Sequence, residues 1–108
     1  MHGRFQILVK SASTTQELFD LLLGALEGSH RERGAIIFGS NVVSVGENPL
    51  FGELSSPSDV VGWGDFEHEI SSFSLQEGSE PSTEATVDII VSKLRENGFK
   101  YELLVPEN

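Results

Sequence analysis

Phe5, Ile7 and Val9 alternate with Gln6, Leu8 and Lys10. A period of two puts one set on each side of a strand, so residues 4–10 read as the first strand. Leu8, on the second side, hints at partial cover there. The period then changes. Leu18, Phe19, Leu22, Leu23 and Leu26 recur three and four apart, the stripe of a helix with one buried side. Thr14, three before Glu17, is its start signal, because hydroxyl and carboxylate can each take a backbone N–H that a helix start leaves without a partner. Gly28 is a natural stop, which bounds a helix over residues 15–28. SHRERG, residues 29–34, reads as a polar connection.

GAIIFGSNVVSVGENP follows and is β-branched and apolar. Ile36-Ile37 and Val42-Val43 are consecutive pairs, so side-chain phase does not separate one long bent strand from a hairpin turning at Gly39-Ser40-Asn41. Residues 47–58 hold two prolines and read as a loop, long for a compact domain. A further strand opens near Val60 and runs through Trp63 to about Leu75. Phe66, His68 and Ile70 share one side; Asp65, Glu67 and Glu69 share the other with Trp63. Phe73 and Leu75 fall out of phase with Phe66 and Ile70, and a β-bulge near Ser71-Ser72 would bring all four together.

Pro81 suits a first helical position, and Glu80 and Glu84 suit the positive end of a helix dipole. Val87, Ile90, Val91 and Leu94 form the buried stripe. Lys93 and Arg95 fit the last turn, and Asn97-Gly98 ahead of Phe99 is a stop signal. Phe99, Tyr101, Leu103 and Val105 alternate as the last strand, which Pro106 closes.

The order β-α-β-(β)-β-α-β predicts an α+β chain. Its natural form is a ferredoxin-like two-layer sandwich: a mainly antiparallel sheet of four to five strands with two helices on one face. The first and last strands would then be neighbours or near-neighbours at the sheet centre. A chain of 108 residues suits one domain, 1–108.

Composition narrows the chemistry. With no cysteine, disulfides, thiolate chemistry, zinc fingers and iron–sulfur clusters are excluded. The N-terminus lacks a long apolar leader segment, and Asp20 interrupts the best apolar run, LFDLLLGAL. A soluble, cytoplasmic protein is expected.

Net charge is −10, and its layout matters more than its size. Arg4, Lys10, Arg31, Arg33, Lys93, Arg95 and Lys100 all lie towards the two ends. Between Gly34 and Ser92 stand Glu47, Glu53, Asp59, Asp65, Glu67, Glu69, Glu77, Glu80, Glu84 and Asp88, with only His68 as a base. Such a field repels nucleic acid and anionic membrane and attracts basic partners. A strand alone is too dilute to imitate DNA, with one carboxylate per ~6.6 Å against one charge per ~1.7 Å of duplex, so mimicry stays a minor variant of protein binding.

The stretch GWGDFEHE concentrates the candidate residues. His68 and its neighbours Glu67 and Glu69 point to opposite sides of a strand and do not chelate together. Asp65, Glu67 and Glu69 share a side but stand ~6.6 Å apart, too far to meet on one ion at ~2.3–2.6 Å without loop oxygens. No metal and no cofactor is therefore expected. His2 lies at the terminus, His30 follows the first helix among Arg31, Glu32 and Arg33, and no P-loop, GxGxxG or HExxH spacing occurs. No catalytic set emerges.

Trp63 between two glycines beside acids is a fit anchor for Lys- or Arg-rich surfaces, through packing and cation–π contact. The expectation is a non-catalytic acidic protein that binds a basic protein surface through Asp65, Glu67, Glu69, Trp63, Glu47 and Glu53. An immunity protein or inhibitor of a nuclease-like toxin fits, because a nuclease must be basic to hold its substrate. The alternatives are a small-molecule-binding or regulatory module, as a homodimer pairing sheet edges or faces, and an uncharacterised enzyme with His68 as its best residue.

Overall fold

The computed structural model describes residues 4–10, 14–48, 66–75 and 82–104. In chain order the elements are β1 (Arg4–Lys10), α1 (Thr15–Ala25), β2 (His30–Glu32), β3 (Ala35–Phe38), β4 (Asn41–Glu47), β5 (His68–Ser74), α2 (Thr83–Glu96) and β6 (Lys100–Leu104). The strands form one antiparallel sheet in the order β2-β3-β4-β5-β1-β6. Among the described residues it has six strands, not four to five. Part of SHRERG, read as a connection, is the short edge strand β2, turned into β3 by Arg33 (φ 50) and Gly34 (φ 81). Residues 35–46 are a hairpin, reversed at Gly39-Ser40, with the Asn41 side-chain amide donating to the Phe38 carbonyl at 3.2 Å. β1 and β6 are neighbours as expected, but β6 is the sheet's edge rather than its centre.

Both helices begin as their sequences dictate. The Thr14 hydroxyl accepts from the Glu17 N–H at 3.1 Å, while the Thr14 N–H donates to the Glu17 carboxylate at 3.0 Å. The Thr14 backbone N–H first, and the Thr14 hydroxyl second, favour the charged carboxylate and hold the Glu17 carboxyl below its ordinary 4.5. A depressed value means that the bond's contribution is present above 4.5 and fades as pH falls through the lowered value. Thr14→Ala keeps the backbone N–H and removes the hydroxyl, so the Glu17 titration midpoint is expected to rise only part of the way towards 4.5, followed by carboxyl-carbon NMR; an unmoved midpoint would refute the hydroxyl's share. α1 ends at Ala25, before the expected Gly28, which instead takes φ 86 in the following turn. α2 is capped by Ser82, whose hydroxyl accepts from Ala85 N–H at 3.1 Å, and it stops at Glu96 with Gly98 at φ 74. The expected place of Pro81 lies outside the described residues.

The core sits between the helices and one face of the sheet. Ile7, Val9, Ile36, Val43 and Ile70 point up from the strands; Leu18, Phe19, Leu22 and Leu26 meet them around α1, and Val87, Ile90 and Leu94 from α2. At the margin the Arg31 guanidinium lies 5.3 Å from the centroid of the Phe19 ring, a cation–π contact.

The bulge in β5 is absent. Ile7 and Val45 both face Ile70, and Phe5 and Val43 both face Ser72, so the register runs on without an extra residue. Ser72 therefore follows Ile70 onto the helix side, while Phe73 turns to the helix-free side and Leu75 stands 65% exposed. Small polar groups fill the helix side here. Asn41, Ser72, Ser74 and Thr86 are all buried, and the Thr83 hydroxyl donates to the Asn41 side-chain oxygen at 3.0 Å. The Ser72 hydroxyl itself is buried with no hydrogen-bond partner.

Candidate protein-binding face

Asn48 builds one end of this face. It follows β4, is 4% exposed, donates its N–H to the Glu67 carbonyl at 2.9 Å and its side-chain amide to the Phe66 carbonyl at 2.8 Å. A buried asparagine with both donors on the facing chain fixes where β5 begins relative to where β4 ends. Removing the amide would leave the carbonyl of half-buried Phe66 without this donor, so Asn48→Ala should cost about 0.5–1.5 kcal/mol in urea unfolding. A loss below about 0.5 kcal/mol would contradict that role.

Strand register assigns the sides. Glu47 faces His68 on the helix side of the sheet, and Glu47 is exposed. His68 is 6% exposed at the first position of β5, with its Nδ1 3.4 Å from the Thr15 hydroxyl at the start of α1. It serves to join sheet to helix. Glu69 lies on the helix-free side, half-buried, and accepts from the Gln6 side-chain amide at 3.4 Å. Glu67 precedes β5 and is half-buried. Trp63, Asp65 and Glu53 lie outside the described residues. Of the expected six, the structure thus brings Glu47, Glu67 and Glu69 to one end of the β4–β5 pair but divides Glu47 from Glu69 between opposite faces.

Across the helix-free face, residues line up in rows. One row runs Gly46, Glu69, Leu8, Glu102 over β4, β5, β1 and β6. Glu69 and Glu102 therefore flank Leu8 at positions ~10 Å apart. Leu8 is only 2% exposed although no described helix lies on its side, in accord with the cover its sequence position suggested. Among the described residues neither Glu69, Glu102 nor Glu47 forms an ion pair. The face is not uniformly acidic. Lys10 and Lys100 face each other one row beyond Leu8, roughly 6.8 Å along the strands. Glu102 was missed by sequence reasoning because it lies outside the acidic middle of the chain. Its alternation in β6 shows which side it takes, but only the β1–β6 pairing puts it beside Leu8.

The other candidates do not assemble. His30 stands exposed in β2, 3.3 Å from the Glu32 carboxylate, and His2 is outside the described residues. Among the described residues no three His, Cys, Asp or Glu side chains are grouped to hold a metal ion. A depression of about 330 Å³ between the helices is lined by Ala25, Asp88, Ile89, Ser92, Lys93 and Glu96, but it opens widely to solvent. Among the described residues no helix is long and apolar enough to cross a membrane. No family model, curated protein or solved structure matches this chain.

Proposed function

We propose that the chain is a non-catalytic acidic protein that associates with a basic protein surface, in the manner of an immunity protein or inhibitor of a nuclease-like toxin. The observation that carries this reading is the net charge of −10 together with carboxylates at Glu69 and Glu102 on a sheet face over which no described helix lies. Trp63, Asp65 and Glu53, outside the described residues, belong to the same proposal on sequence and charge alone, while Glu47 lies on the opposite face of the sheet. Fold and setting belong to the same reading. The order β4-β5-β1-β6 with both helices on one side supports a ferredoxin-like sandwich in which β2 and β3 extend one edge. The lack of cysteine suits a cytoplasmic, reducing environment.

The direct experiment is binding to a purified basic nuclease domain, read as inhibition of the nuclease and as affinity between about 50 mM and about 500 mM salt. Inhibition with an affinity that falls steeply over that range is expected. Absence of inhibition across a panel of such domains, or affinity indifferent to salt, would overturn the reading.

A further inference from the structure

An unpaired sheet edge exposes a row of backbone donors and acceptors, and proteins normally blunt it. The two edges here differ. β2 is three residues long, all exposed, and an antiparallel copy centred on Arg31 would set two guanidiniums against each other. β6 is longer, bears apolar side chains at Tyr101 and Leu103, and among the described residues has β1 as its only strand partner.

We propose that the β6 edge pairs with the β6 edge of a second copy of this chain, antiparallel across a twofold axis at Tyr101, joining two six-stranded sheets. The register follows from self-complementarity. With Tyr101 opposite its own copy, Lys100 of each chain faces Glu102 of the other on the helix-free side. On the helix side Phe99 faces Leu103, and both are half-buried beside the core. Shifting by two residues in one direction sets Glu102 against Glu102, and in the other sets Lys100 against Lys100, so charge selects one register. The pairing also relieves a contact within the monomer, where Lys100 already faces Lys10 across β1. The helices leave room. α2 contacts β5 and β6, on either side of β1, so two copies of α2 would stand ~14 Å apart, three strand spacings. Packed helices are ~8–10 Å apart. The remaining gap suits the large side chains already there: Tyr101, whose hydroxyl accepts from Arg95 at 2.8 Å, Phe99 and Leu103. The edge shares Glu102 with the proposed partner-binding face, but its test reads self-association of the chain and needs no basic partner.

Sedimentation equilibrium of the whole chain tests the proposal. A reversible dimer is expected. Lys100→Glu alone and Glu102→Lys alone each turn two attractive cross-strand pairs into two repulsive ones and should weaken the dimer about tenfold or more. Lys100→Glu with Glu102→Lys restores opposite charges and should restore the dimer. Both positions are exposed, so circular dichroism should stay that of the parent. Tyr101→Cys, in a chain with no other cysteine, should form a covalent dimer in oxidised glutathione, because facing residues of an antiparallel pair are ~4.5–5.5 Å apart at Cα, within disulfide reach. A monomer at every concentration, a dimer indifferent to the single charge reversals, or a double variant no tighter than the singles would each overturn the proposal, as would failure of Tyr101→Cys to cross-link.

Discussion

Ile70→Ala is expected to lower the free energy of unfolding by about 4 kcal/mol, towards the top of the range for truncating a fully buried aliphatic side chain. Ile70 has no exposed surface; Ile7 and Val45 flank it on the neighbouring strands, and both helices belong to the same core. The surroundings have little freedom to collapse into the space, since the flanking strands are hydrogen-bonded on each side. Phe73→Ala removes a larger side chain three residues away, yet should cost only about 1–2 kcal/mol, because Phe73 is half-buried on the side without helices. Urea denaturation of both variants decides the register of β5. With a bulge at Ser71-Ser72, Phe73 would sit in the core and its truncation would be the costlier of the two. A loss at Phe73 equal to or above that at Ile70 would therefore refute the continuous pairing described here.

Glu69→Lys should weaken binding to a basic partner by about tenfold to a hundredfold at low salt, with most of the loss gone near 500 mM. The substitution changes net charge by two units, so a control of equal charge is essential. Glu27→Lys supplies it: Glu27 is exposed in the turn after α1, away from the helix-free face. Both variants feel the same change in overall attraction, and any difference between them belongs to the site. Glu67→Lys should act in the same direction; both residues are half-buried, and Glu69 is the better choice because the β5 register fixes its side. Equal effects of Glu69→Lys and Glu27→Lys on partner affinity would leave the charge reading global and remove Glu69 from the interface. This outcome is independent of the β6 edge, where neither residue lies.

Local pattern carried much of the fold. Alternation marked β1 and β6, spacing of three and four marked both helices, and Thr14, Glu17 and Gly98 act in their predicted places. The departures share one cause. Deciding that Phe73 belonged in the core assumed that serines do not, yet Ser72 and Ser74 take buried positions beside Asn41 and Thr83. Nothing local distinguishes a serine that faces water from one under a helix. The pairs Ile36-Ile37 and Val42-Val43 failed for a related reason: two apolar neighbours fit either phase until a partner strand selects one. His30, Arg31 and Glu32 have no strand-forming pattern and are drawn into the sheet by the neighbouring Ala35–Phe38 strand.

The candidate face divides along the same line. Its charge was legible, since the number and position of carboxylates are properties of the chain. Its membership was not. Glu102 joins Glu69 because β1 lies between β5 and β6, and Lys10 and Lys100 come close for the same reason. Glu47 goes to the opposite side because its partner is His68.

The sequence by itself determined the class of fold, the two helices with the start of the first and the stop of the second, the excess of negative charge and the absence of thiol chemistry, all of which depend on residues near one another or on simple totals. Only the tertiary structure decided how many strands there are, which strand lies beside which, and which acids share a surface with which bases. Those are set by pairing between segments up to a hundred residues apart, where a shift of one position exchanges the two faces of a strand.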